Sequence, residues 1–168
     1  MRLPPLRIVA ASGLFIAAAI GLDQWVKHMV ETHMPLGSHI ELLPFLALFH
    51  TRNEGIAFSM FSGSGMTLLS VVSLGVIALM LWLWSKAEAT DRLAHLGFAL
   101  ILAGAIGNLV DRLMLGYVTD YVFFHTPVWS FAVFNLADTY ISVGAALIVL
   151  QEFLHWRANR RGQSEGSN

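Results

Sequence analysis

The 168-residue chain contains no cysteine, which excludes a disulfide-stapled secreted framework, a thiol nucleophile and a Cys-bound zinc. Charged residues make up only 12% of it, about half the share usual in soluble domains. The ten Lys and Arg side chains form no basic face, so no nucleic-acid partner is expected. Apolar residues reach 56%, which excludes intrinsic disorder of the whole chain.

What is present are apolar stretches of spanning length, at about residues 6–26, 66–84, 93–112 and 134–153. The second, Met66 to Trp84, carries no charge at all and would measure about 28 Å as a helix, the thickness of a hydrocarbon core. The expected fold class is a mainly α membrane protein with four transmembrane helices and a small β-sheet in the extracytoplasmic loops. Arg2, Arg7 and Ala17-Ala18-Ala19 also fit a cleaved signal peptide. The apolar run is long for that, however, and the polar cluster Asp23, Gln24 and Lys27 behind it reads as retained.

Four spans place both termini on one side. Arg2, Arg7, Lys86, Arg92, Arg157, Arg160 and Arg161 then fall on the terminal side, and Lys27, Arg52 and Arg112 on the other. Seven against three makes the terminal side cytoplasmic. Residues 1–156 are expected to form one integral-membrane domain. Residues 157–168, polar and rich in Gly and Ser, are expected to be a disordered cytoplasmic tail.

Two outer segments, Lys27 to Gly65 and Leu113 to about Val133, are longer than bundle connectors usually are. Within them, Ile40 to Phe49 and Tyr117 to Phe124 read as strands, the first limited by Pro44 to an edge or a broken strand. Gly55, Gly63 and Gly65 could hinge the first segment over a substrate.

A charge at mid-bilayer costs roughly 2.5–3.5 kcal/mol on insertion scales and much less near the interface. The polar residues of the spans follow that rule. Asp23, Gln24, Asn108, Asp111, Arg112, Asn135 and Asp138 all lie toward outer ends, level with loop residues Asn53, Glu54 and Asp120. Each also has an ordinary reading. Asp111 and Arg112 suit a structural ion pair better than direct chemistry, Asp138 suits a helix N-cap as well as it suits catalysis, and Asp120 alone suits an edge-strand charge. Together they suit more. Two carboxylates held close in a poorly hydrated site resist double ionisation, so one keeps a proton while the other serves as base. That pair can activate water against an amide.

Other chemistry has less behind it. His28, His33, His39 and His50 crowd the first outer segment, but no H-E-x-x-H accompanies them and interfacial histidines are the better reading. Lys27 with Ser59 is a weak Ser–Lys dyad. Ala99, Ala103 and Gly107 form a small-residue line suited to helix packing. A proton-coupled carrier would spread its polar residues through the bilayer depth, and a presenilin-type protease would carry G-x-G-D; neither is found. A purely structural bundle stays open on physical grounds.

Five motifs in order carry a resemblance. They are Asp23-Gln24-Trp25-Val26-Lys27 (D-Q-x-x-K), Asn53-Glu54-Gly55-Ile56-Ala57-Phe58 (N-x-G-x-A-F), and Gly104 to Arg112 (G-x-x-G-N-x-x-D-R). Val118-Thr119-Asp120-Tyr121 (V-x-D-[FY]) and Phe134-Asn135-Leu136-Ala137-Asp138 (F-N-x-A-D) complete the set. In this the chain resembles bacterial lipoprotein signal peptidase (signal peptidase II), a family of integral-membrane aspartic peptidases. The resemblance implies an endopeptidase that removes the signal peptide from diacylglyceryl-modified prolipoproteins, cutting before the lipidated cysteine. It implies Asp120 and Asp138 as the catalytic dyad. Asn53, Gly55, Asn108, Asp111, Arg112, Asn135, Ala137, Asp23 and Lys27 would bind substrate or support the site. No metal or organic cofactor is expected, and the expected partners are lipidated prolipoprotein signal peptides and membrane lipids. The protein is expected to be a monomeric, multi-pass protein of the bacterial cytoplasmic (inner) membrane, with its active site at the outer, periplasmic face.

Overall fold

The computed structural model describes residues 6–55 and 65–165. Expectations resting on Arg2, Lys27–Gly65 loop residues 56–64 (Ser59 and Gly63 among them) and the last three residues lie outside it. The elements run α1 (Leu6–His33), β1 (His39–Leu43), β2 (Leu46–Asn53), α2 (Gly65–Trp84), α3 (Arg92–Met114), β3 (Val118–Thr126), β4 (Trp129–Ser130) and α4 (Leu136–Glu165). Among the described residues, three helices are long and apolar enough to cross a membrane: Thr67–Trp84, Arg92–Met114 and Leu136–Arg160.

α3 is the axis of the bundle and packs against each of the other three helices. Its composition explains why. Gly97, Ala99, Ala103, Gly104 and Gly107 line it with minimal side chains, and most of the helix between Ala94 and Asp111 is buried, Leu96 being the exposed exception. Toward α4 the approach is backbone to backbone: a Cβ on Gly97 would come within 2.6 Å of the Gly144 carbonyl, and one on Gly144 equally close to that of Gly97. Toward α1, a Cβ on Gly107 would meet Asp23 Oδ2 at 2.8 Å. Small residues let helices touch where apolar attraction between them is weak. α2, by contrast, keeps most of its Leu, Val and Trp side chains exposed, as a helix facing acyl chains can.

Two boundaries differ from the sequence reading. α1 does not stop near Val26 but continues to His33, about 42 Å in all, so that Asp23 and Lys27 stand inside a helix rather than at its end. α4 likewise runs on to Glu165, across the segment expected to be a disordered tail. Arg157, Arg160 and Arg161 are good helix formers, and Arg160 lies over the Trp156 ring at 5.0 Å.

The outer segments form one antiparallel four-stranded sheet in the order β1-β2-β3-β4. The single strand expected over Ile40 to Phe49 is two, because Pro44, which cannot donate to a ladder, turns the chain with Phe45 into a hairpin. The sheet is seated on the helices by Val30 of α1 and Met34 just beyond it, packed against Tyr121 of β3, with Val26, Leu48 and Leu136 around them. The first four residues of β3, Val118 to Tyr121, are buried on both faces.

Candidate functional site: a carboxylate pair at the start of the fourth helix

The end of β3 and the start of α4 are held together by backbone. Tyr121 and Val122 N–H groups donate to the Phe134 carbonyl at 3.1 and 2.7 Å, and Phe134 N–H donates back to Val122 O at 3.0 Å. The Tyr121 hydroxyl accepts from Leu136 N–H at 3.1 Å. This lock places Asn135, the N-cap of α4, directly beside Asp120.

Asn135 and Asp138 form a reciprocal capping box. Asp138 N–H donates to Asn135 Oδ1 at 3.0 Å, and Asn135 N–H donates to Asp138 Oδ2 at 3.2 Å. The amide nitrogen of the same Asn135 donates to Asp120 Oδ1 at 2.7 Å. One asparagine thus touches both carboxylates. Asn108 closes the circuit from α3: its Nδ2 donates to Asp138 Oδ1 at 2.8 Å, and its Oδ1 accepts from Asn135 Nδ2 at 3.2 Å. Asn135, not Asp138, is thus the N-cap; Asp138 is its partner in the first turn, with Oδ1 directed into the polar cluster.

Asn53 donates to Asp120 Oδ2 at 3.0 Å, and its own Oδ1 accepts from Gly55 N–H at 3.1 Å. Gly55 has φ +71°, a backbone state in which a side chain is strained. The register explains how Asn53 arrives. Leu48 pairs with Val122 but Thr51 pairs with Asp120, so β2 carries one extra residue in between. Without that bulge Asn53 would share the opposite face; with it, Asn53 shares the face of Asp120.

Beneath the pair lies a buried charge cluster. Lys27 Nζ is 2.8 Å from Asp23 Oδ2, 2.8 Å from Asp111 Oδ2 and 2.9 Å from Asn108 Oδ1. All of these groups are buried. Gln24 Nε2 donates to Asp111 Oδ1 at 2.7 Å, and Asp23 Oδ1 accepts from Ala137 N–H at 3.0 Å. α1, α3 and the first turn of α4 are therefore pinned at one level. The expected Asp111–Arg112 ion pair is not made among the described residues. Neighbours in a helix point about 100° apart, and Asp111 turns to Lys27 while half-buried Arg112 donates to Ser73 Oγ (3.4 Å) and Asn108 O (3.3 Å).

Burial, and next the negative charge of Asp138, push the Asp120 carboxyl up to about 6, against the opposing hydrogen bonds from Asn53 and Asn135. A proton is thereby retained far more readily on this carboxyl than in water. Tyr121 is pushed up as well, mainly by burial, which keeps its hydroxyl neutral.

Of the residues expected to bind substrate or support the site, all but Arg112 converge here, and Arg112 stands at the margin. Glu31 was missed. It accepts from Arg52 Nη2 at 2.9 Å and from Thr119 Oγ1 at 3.0 Å, bracing the strand residues that flank Asn53 and Asp120. Its signal was its place four residues after Lys27, on the same face of α1. A pocket of about 250 Å³ is lined by Lys27, Glu31, Asp111, Tyr117 and Thr119. It borders the charge cluster, and neither Asp120 nor Asp138 lines it.

The family model described as signal peptidase (SPase) II matches residues 15–154. A lipoprotein signal peptidase of Mesorhizobium japonicum is 56% identical over 144 residues, covering 86% of each chain. Its counterpart in Brucella ovis is 55% identical over 150 residues, covering 89% of this chain and 94% of its own. Two solved structures of a bacterial membrane enzyme superpose with a TM-score of 0.77 at 28% identity. They cover 90% and 84% of this chain, and 92% of their own. The chain belongs to the signal peptidase II family.

Proposed function

We propose that the protein is a membrane-embedded aspartic endopeptidase that removes the signal peptide from diacylglyceryl-modified prolipoproteins, cleaving before the lipidated cysteine, with Asp120 and Asp138 as its dyad. The observation that carries this is the double contact of Asn135, whose amide donates to one carboxylate and whose backbone N–H donates to the other. Family membership and the names of the relatives support the substrate class.

Asp138 is the base. It stands at the N-terminus of α4, where the helix dipole favours an anion, and takes a proton from the attacking water. Asp120, whose carboxyl is raised to about 6, is the acid and protonates the carbonyl oxygen of the scissile amide. The tetrahedral intermediate collapses with transfer of a proton to the leaving nitrogen. One water is consumed, the signal peptide gains a carboxylate and the lipidated cysteine gains a free amine. Asn53, Asn108 and Asn135 orient the carboxylates, and Asp23, Lys27 and Asp111 hold the helices that carry them.

In this reading α1 is a fourth span, both termini are cytoplasmic and the monomer sits in the bacterial inner membrane with its dyad at the periplasmic interface. A substrate whose apolar segment crosses the bilayer and whose lipidated cysteine lies at that interface presents its amide at the depth of the dyad. Incubating detergent-solubilised protein with lipidated and unlipidated precursor tests the reading. Cleavage of the lipidated form alone is expected; equal processing of both would refute the lipid requirement.

A further inference from the structure

The far end of the sheet carries a second group of ligand-type side chains. His39 and Glu41, two apart on β1, share one face, and His125 of β3 joins them from two strands away. Their donor atoms all lie within 4.8 Å of one another. His39 Nε2 is 3.7 Å from Glu41 Oε1, and His125 Nε2 is 3.3 Å from Glu41 Oε2.

The intervening strand makes this possible. Ala47 pairs with Glu41 on one side and Phe123 on the other, and its methyl group leaves room for side chains from β1 and β3 to meet above it. Phe123 stacks on His125 with ring centroids 5.0 Å apart, and Phe49 and Phe123 both stand about the His39 ring at close to 6 Å. The imidazoles are thus held by an aromatic wall while His39 and Glu41 stay open to solvent. His125 Nε2 is enclosed and makes no directional hydrogen bond among the described residues. A buried ring nitrogen left in that state is unusual.

We propose that His39, Glu41 and His125 form a divalent metal site that takes Zn²⁺ and ties β1 to β3 across β2. Two imidazoles and a carboxylate are a donor set for Zn²⁺. Tetrahedral ligands at ~2.0–2.1 Å from zinc stand about 3.3–3.4 Å apart; the His125–Glu41 contact has that spacing, and a turn of the exposed His39 and Glu41 side chains brings one carboxylate oxygen between the two imidazoles. The three side chains supply three positions and solvent the fourth. In the sequence His39 stands only with its neighbours in the first outer segment; His125 joins it solely through the fold. The site lies outside the carboxylate cluster and is independent of the peptidase chemistry. Its role is to stiffen the sheet whose β2 and β3 carry Asn53 and Asp120.

The test is a titration of tag-free, chelator-dialysed protein with Zn²⁺, read by calorimetry and by the thermal midpoint. Saturable one-to-one binding and a zinc-dependent rise in the midpoint are expected. His125→Ala and, at the exposed position, His39→Ala should each weaken the affinity by about tenfold or more, whereas His33→Gln should leave it unchanged. Absence of saturable binding in the wild type, or wild-type affinity retained in His39→Ala and His125→Ala, would overturn the proposal.

Discussion

Lys27 has three ammonium hydrogens and three acceptors, from Asp23, Asp111 and Asn108. Nothing remains for water, and removing the cation would leave two carboxylates buried without compensation. Lys27→Ala is therefore expected to lower stability by about 3–5 kcal/mol, seen as a fall in the thermal midpoint in detergent. An unchanged midpoint would show the cluster to be hydrated. Asp120 gives the opposite sign. Its carboxyl is raised from 3.8 to about 6, so the folded state holds the proton more tightly than the unfolded one. The stability linked to that proton is fully present below pH 3.8 and is lost as the pH rises through about 6. Asp120→Asn cannot titrate. Its stability relative to wild type should rise by about 1–3 kcal/mol across that window, measured by denaturation at pH 4 and pH 7. A difference that does not change with pH would contradict the assignment.

At the scale of elements, the apolar runs and their capping residues were readable because each is local. α2 and α3 begin and end within two residues of the expected limits, and Asn135 with Asp138 has capping-box spacing in the sequence itself. What was not readable depends on contacts between distant segments. Nothing in Phe49 and His50 announces the extra residue in β2, yet it decides that Asn53 faces Asp120. Asp111 looked paired with its neighbour, and only the packing of α1 on α3 gives it Lys27. The continuation of α1 past Val26 was hidden by its polar residues, which find partners in the fold rather than in water. Packing of α3 on α4 is similarly exacting. A Cβ on Gly104 would run into the carbonyl of Ala137, with Ile141 beside it. Gly104→Ala should displace the first turn of α4, lowering stability by about 1–3 kcal/mol and the cleavage rate with it. Wild-type turnover in that variant would separate the glycine contact from the site.

Taken whole, the molecule divides its labour between a helix bundle and a sheet. α3 is the common partner of the other helices, and its C-terminal end delivers Asn108 and Asp111. The sheet brings Asn53 and Asp120 to the same level, and α4 begins there with Asn135 and Asp138. Polar groups from α1, α3, α4 and both outer segments thus meet in one layer, which an inert bundle would not require. The claim that this layer is a peptidase site built on two carboxylates is tested most directly by single-turnover cleavage of a lipidated precursor. Wild type, Asp120→Asn and Asp138→Asn should be compared, each checked for membrane insertion and a cooperative thermal transition. Both variants are predicted to stay folded while their rates drop by at least about 10²-fold. A folded variant of either that cleaves at the wild-type rate would contradict the account.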